Sequence, residues 1–227
     1  MTNQHLNTNY RSLHFIKNKL GSLLTDLKLF IHHVFNNKFK LKKLLVSRTK
    51  LHFGSGSDIK EGFINIDISG QADIFLDARN RFNVPDNTIE YIYSSHFVEH
   101  LEHDDLIVHL TECYRMLKPG GILRLGVPDF PKVFRSYCDS NNLFLEDRRE
   151  SLSGKLGLPS ELITFMDCVN KAVYEFGEHK ICLDADKIWS LLTYCGFDSR
   201  GIKQSEFDSD IDIGARRELT FFVEALK

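Results

Sequence analysis

Apolar residues near the start of the chain recur at Leu13, Ile16, Leu20, Leu23, Leu27, Phe30 and Val34, in steps of three and four. That spacing predicts an amphipathic helix with Lys17, Lys19 and Lys28 off its apolar stripe, ending around Phe35 to Lys40. From Leu51 the pattern changes to short apolar runs separated by helical stretches, which predicts an α/β sheet. Strands are expected near 50–53, 63–67, 73–76, 89–94 and 121–126. A helix should start at a His103-Asp104-Asp105 cap, face Leu106, Leu110, Cys113, Tyr114 and Leu117 inward, and stop at Pro119-Gly120-Gly121. Pro128-Asp129 opens another helix, through about Tyr137. Residues 140–178 read as an insertion: a polar stretch with the charge run Glu146-Asp147-Arg148-Arg149-Glu150, a Gly154/Gly157/Pro159 loop, then a helix near 160–174. Asp184 caps a helix carrying Ile188, Leu191, Leu192 and Cys195, and two more strands fall at 201–204 and 219–224.

Charge divides the chain in the same place. Residues 1–50 hold ten Lys or Arg against one acid, Asp26, whereas the remainder holds 19 basic and 30 acidic residues. The expected organisation is therefore a basic helical extension over 1–49 and one domain over 50–227. The extension suits a domain surface, a protein partner or an anionic membrane surface. A nucleic-acid partner is disfavoured, because its aromatics lie inside the apolar pattern and the larger part of the chain is acidic. Five scattered cysteines without a C-x-x-C pair argue for reduced thiols and against a disulfide framework or structural zinc. No apolar run reaches membrane-spanning length and no leader pattern opens the chain, so the expected location is cytoplasmic, with the basic extension able to rest on a membrane.

Leu51-His52-Phe53-Gly54-Ser55-Gly56 is a short strand breaking into a glycine-flanked turn, where backbone amides can approach a ligand closely. Asp67 ends the next apolar run, so its carboxylate can accept from both hydroxyls of a ribose. A dinucleotide fingerprint is absent. Ile59 stands where a third glycine would be, and only Ser57 to Gly62 separate the turn from the next strand.

These residues, with Asp77-Ala78, Pro85-Asp86-Asn87-Thr88-Ile89-Glu90, His96-Phe97-Val98-Glu99-His100-Leu101 and Leu117-Lys118-Pro119-Gly120-Gly121, resemble the ordered motifs of class I S-adenosylmethionine-dependent methyltransferases of the type 11 group. Within that group the pattern is similar to bacterial predicted methyltransferases associated with surface-polysaccharide synthesis. The resemblance implies a Rossmann-like sheet, mostly parallel with a C-terminal antiparallel strand. It also implies S-adenosylmethionine as cofactor and methylation of an oxygen on a sugar or glycan precursor, or another small molecule. By the same resemblance Gly54, Ser55 and Gly56 pass under the methionine and ribose, and Asp67 holds the ribose hydroxyls. Asp77 with Ala78 would meet the adenine, and Ser94 would line the methyl-donor end. One departure stands out: the acid usual before the first glycine is replaced by His52 and Phe53.

Methyl transfer from a sulfonium needs alignment, and a hydroxyl acceptor also needs a base or a metal. His96, at the tip of the fourth strand, is the expected base or acceptor-positioning group, with His100 beside it. His96-x-x-Glu99-His100 is also similar to the E-x-x-E-H of metal-dependent O-methyltransferases, whose later His would here be His179. The expectation is no metal, with Glu99, His100 and His179 as the alternative ligand set for a divalent ion. Two other functions stay open: a non-catalytic cofactor-binding scaffold, and a metal-assisted 2′-O-methyltransferase acting on RNA.

Overall fold

The structure is a computed structural model that describes residues 37–68, 71–79, 81–139 and 143–227, with Leu20, Leu23, Leu24 and Leu27 as isolated positions. Most of the helix expected over 13–34 lies outside the described residues. Its four described leucines are helical and exposed. The stop expected at Phe35–Lys40 is not found where those residues are described, because Asn37–Leu44 forms a helix, α1. Leu41 inserts from α1 into the main core, with Leu44 and Leu45 packed on it. Burial of these leucines outweighs the asparagines that suggested a stop, so the core begins before residue 50.

Seven strands form one sheet in the order β3-β2-β1-β4-β5-β7-β6. They are β1 (Lys50–Phe53), β2 (Phe63–Asp67), β3 (Ile74–Phe75), β4 (Ile89–Ser95), β5 (Leu117–Pro128), β6 (Ile202–Ser205) and β7 (Thr220–Leu226). All neighbours from β3 to β5 are parallel, and β7 runs antiparallel to both β5 and β6. The expected mostly parallel sheet with an antiparallel C-terminal strand is observed. Leu51, Phe53, Ile64 and Ile66 are all buried, as strands covered on both faces require.

Two polar residues interrupt those apolar strands and hold each other. His52 Nδ1 lies 3.2 Å from Asn65 Oδ1, and the same oxygen accepts from the Lys60 amide at 3.0 Å. The Asn65 amide group donates to the Lys60 carbonyl and to Asp73 Oδ2, each at 3.1 Å. This network ties the short 57–62 connection to the sheet where a longer helix would otherwise lie. Burial drives the His52 pKa down to about 4, so the ring is neutral.

Helix α2 (His103–Met116) crosses behind the sheet, capped by Glu102 rather than His103 and without a side-chain capping bond. It passes directly into β5, which starts four residues earlier than its apolar pattern suggests. The Pro119-Gly120-Gly121 stretch lies inside that strand, where Gly120 N donates to the Lys227 carbonyl at 2.8 Å. The second half of the sheet is stapled by Arg124, which is 2% exposed. Its guanidinium holds Asp212 through two bonds, Glu224 at 2.9 Å and the Ser205 hydroxyl at 2.8 Å.

The insertion is more helical than its composition suggests. Beyond β5, Asp129 accepts from Lys132 N and starts α3 (Phe130–Cys138). The charge run then belongs to α4 (Leu143–Leu156), which includes Gly154. A capping box between Thr164 and Asp167 opens α5 (Phe165–Tyr174). Leu145, Leu152, Ile163 and Cys168 form a separate small core, and burying them is what holds the polar run in a helix. Asp184 caps α6 (Ala185–Tyr194), as expected.

Candidate functional site

The chain leaves β1 toward β2 and β3 on one side, and later returns to place β4 on the other. The C-terminal ends of β1 and β4 therefore flank the crevice where open α/β sheets bind ligands. Gly54-Ser55-Gly56 follows β1 there. Gly54 and Gly56 both have positive φ, +66° and +52°. Their constraints differ. A Cβ on Gly54 would meet the Phe97 ring at 2.6 Å, whereas a Cβ on Gly56 would meet nothing within 4 Å.

Asp67, at the tip of β2, accepts from Gly56 N at 2.8 Å and so stands against the open side of the loop. Ser55 and Ser94 are buried, and among the described residues neither hydroxyl has a hydrogen-bond partner. Asp77 makes a close ion pair with its neighbour Arg79. Both of its carboxylate oxygens accept from the Arg79 guanidinium at 2.5–3.0 Å, with acceptor capacity to spare. Ala78 is buried beside it. His52 and Phe53 point into the packed interior, where His52 lies against Tyr93 and Phe53 against Phe82 and His109, so neither replaces the missing acid.

Four side chains meet beyond β4. His96 has φ +52°, a left-handed conformation that costs a non-glycine residue about 1–2 kcal/mol. Its amide donates to the Gly126 carbonyl at 2.8 Å, and its Nε2 lies 2.8 Å from Thr220 Oγ1. The Thr220 hydroxyl spends its own proton on the Arg216 carbonyl, at 2.7 Å. His96 Nε2 must therefore carry the proton it donates, which leaves Nδ1 as a lone pair. That lone pair lies 3.6 Å from Glu99 Oε1, and the same oxygen has His179 Nε2 at 3.9 Å and His100 Nε2 at 4.0 Å.

Glu99 sits on a single 3₁₀ turn, Val98–His100, is fully buried, and has neither carboxylate oxygen hydrogen-bonded among the described residues. Burial pushes its pKa up to about 8, against the weaker pull of its own turn's amides and of Arg216. Burial, with the nearby Arg216 charge, pushes His96 down to about 3; His100 and His179 are also lowered, chiefly by burial. The imidazoles are thus neutral.

A cavity of about 410 Å³ opens on this cluster. Its floor is His96, Glu99, His100 and His179, and its walls carry Asp129 from the end of β5, Arg148, Lys155, Lys171 and Glu178 from the helical insertion, and Arg216 from the β6–β7 connection. Sequence reasoning found the floor but missed Thr220 and the wall cations. Thr220 lies 124 positions from His96, a separation that no local pattern encodes. The Arg148 side of the wall depends on α4, whose helical state was not legible.

Residues 56–125 match the family model described as a methyltransferase domain, less than half of the chain. No curated protein matches. Among solved structures, the chain is similar to an S-adenosylmethionine-dependent methyltransferase from Archaeoglobus fulgidus, at 18% identity over 84% of this chain and 92% of that one, TM-score 0.47. It is also similar to a Thermotoga maritima methyltransferase described as a possible histamine N-methyltransferase, at 16% identity over 94% and 99%, TM-score 0.46. A Mesorhizobium loti methyltransferase follows at 14% over 80% and 91%, TM-score 0.45.

The matched segment and the sheet order define the class: an enzyme, a methyltransferase with a class I, Rossmann-like sheet that uses S-adenosylmethionine. The residues fit that cofactor. Gly56 leaves open space where a side chain would stand and Asp67 offers a carboxylate at its edge, while Ser55, on the same turn, and Ser94, at the end of β4, hold buried hydroxyls without a partner among the described residues.

Proposed function

We propose that the protein transfers a methyl group to an oxygen of a sugar or glycan precursor, one used in surface-polysaccharide assembly. The observation that carries this reading is the cavity over His96. At about 410 Å³ it is of small-molecule size, and its lining carries both cationic and acidic side chains, suited to a polyhydroxylated acceptor.

When bound, S-adenosylmethionine supplies an electrophilic methyl on a positively charged sulfur. The chain does the rest. Asp67 would hold the ribose and Gly56 leave the cofactor room, while Ser55 and Ser94 give hydroxyls toward the donor end. His96 Nδ1, kept unprotonated by the Thr220 contact, accepts a hydrogen bond from the acceptor hydroxyl and aims its oxygen. A histidine with a pKa near 3 stores a proton poorly, so His96 acts here as a positioning group more than as the final proton acceptor.

The test is to incubate the purified protein with S-adenosylmethionine and a panel of sugar nucleotides and lipid-linked sugars, and to follow S-adenosylhomocysteine release. The expected product carries its new methyl on oxygen, read by NMR. Turnover confined to amine or carbon acceptors would overturn the acceptor class.

A further inference from the structure

We propose that the acceptor enters the cavity over His96 as a phosphate or diphosphate ester, its anionic group held by Arg148, Lys155 and Arg216. The inference rests on the sugar acceptor proposed above and adds the charged handle by which that sugar is held.

Helix α4 turns one face to the cavity. Leu145, Arg148, Leu152 and Lys155 line it at spacings of three and four, with Ser151 beside them. The same helix carries the run Glu146-Asp147-Arg148-Arg149-Glu150, and of those five residues only Arg148 reaches the lining. Glu146 pairs with Arg149 at 2.8 Å, and Asp147 and Glu150 are exposed. The helix thus presents Arg148 and Lys155 to the cavity and keeps all three acids of the run out of it.

These cations lack counterions. Among the described residues, Arg148 has neither a hydrogen bond nor an ion pair, and its guanidinium lies over the Phe144 ring at 5.2 Å. Lys155 is exposed and also unpaired there. Arg216 donates to the Ser95 carbonyl at 3.1 Å, which leaves the other donors of its fork. Lys171, on the same lining, has its pKa lowered first by burial and then by the charges of Lys155 and Arg148, so like charges are crowded on one wall. The acids of the lining do not relieve them. Glu175 is paired with Lys171, Asp129 caps α3 through the Lys132 amide, and Glu99, raised to about 8 by burial, is protonated at neutral pH. Among the described residues no ion pair joins Glu178 to Arg148, Lys155 or Arg216. Two guanidinium forks and an ammonium suit an anion with several oxygens, because each fork can take two phosphate oxygens at once.

Binding is read without turnover, so it fails separately from methyl transfer to oxygen. The full chain, with and without S-adenosylhomocysteine, is titrated calorimetrically with inorganic pyrophosphate, glucose 1-phosphate, uridine diphosphate glucose and farnesyl diphosphate. Glucuronate serves as the carboxylate control. The expected result is one pyrophosphate site with a dissociation constant of about a millimolar or below, weakened by added salt. Arg148→Gln should weaken binding about tenfold and Lys155→Gln severalfold. Arg200→Gln, in an exposed ion pair with Asp198 away from the cavity lining, should leave it unchanged. Whichever of the three esters binds more tightly than pyrophosphate identifies the anion's owner as a free, nucleotide-linked or lipid-linked sugar. The site is overturned if the wild type binds none of the phosphate compounds, if glucuronate binds as tightly as glucose 1-phosphate, or if Arg200→Gln loses as much as Arg148→Gln. Oxygen methylation of neutral sugars without phosphate binding removes this inference and keeps the proposed function. Phosphate binding with methyl transfer confined to amines removes the proposed acceptor and keeps the anion site.

Discussion

Alanine at Gly54 and at Gly56 makes the same chemical change two residues apart, and the structure assigns the two variants opposite consequences. Both positions have positive φ, so each methyl costs about 1–2 kcal/mol of backbone strain. At Gly54 the new Cβ also falls 2.6 Å from Phe97 Cβ and Cγ, and forcing that contact apart adds about 1–3 kcal/mol. Gly54→Ala should therefore lose about 2–5 kcal/mol, on the order of 10 °C in Tm for a chain of this size. Gly56→Ala meets open space and should lose only a few degrees. On the proposed placement of the cofactor beside Asp67, however, its methyl stands in the cofactor's path, so affinity for S-adenosylhomocysteine should fall about tenfold or more, a loss of about 1.4 kcal/mol. Thermal unfolding by circular dichroism and calorimetric titration read the two effects separately. A Gly56→Ala variant that binds like the wild type would refute the placement of the cofactor over the loop. Equal stability losses in the two variants would refute the role given to Phe97.

Three further outcomes are expected. Arg124→Met leaves Asp212 buried without its main partner and should cost about 3–5 kcal/mol in urea unfolding. A loss below about 1 kcal/mol would mean that Asp212 finds another donor. His109 is buried among Phe53, Phe82 and Phe97, and burial drives its pKa down to about 4. The unfolded chain takes up that proton first, so stability is full above about pH 6.5 and declines by up to about 3 kcal/mol as pH falls toward 4. His109→Leu should make that limb shallower in pH-dependent unfolding, the rest coming from the other buried histidines such as His52; an unchanged limb would refute a contribution from His109. His96→Ala should lower kcat while leaving S-adenosylhomocysteine affinity nearly unchanged, and a parallel loss of both would make His96 a cofactor-binding residue.

The sheet was readable because its signals are local: β1 and β2 are short, mostly apolar runs, and Gly54, Gly56 and Asp67 fall at strand ends where ligand chemistry is concentrated. The strand-tip cluster was readable for the same reason, since His96, Glu99 and His100 are neighbours in the chain. What escaped depends on partners far away. The α4 helix exists because Leu145 and Leu152 find Ile163 and Cys168, a packing choice that outweighs a run of five charges. The ion pair between Arg79 and Asp77 depends on how the chain turns after β3, which the motif does not encode. The choice between the two roles expected for His96, base or positioning group, turns on a tautomer set by Thr220 and a basicity set by burial, neither of which is visible in the motif.

The most direct test of the central claim is calorimetric titration of S-adenosylhomocysteine into the wild type and into Asp67→Ala. The account predicts single-site micromolar binding by the wild type, abolished in the variant while its unfolding temperature stays within a few degrees. Equal binding by the two proteins would contradict the site, and no binding by the wild type would contradict the cofactor.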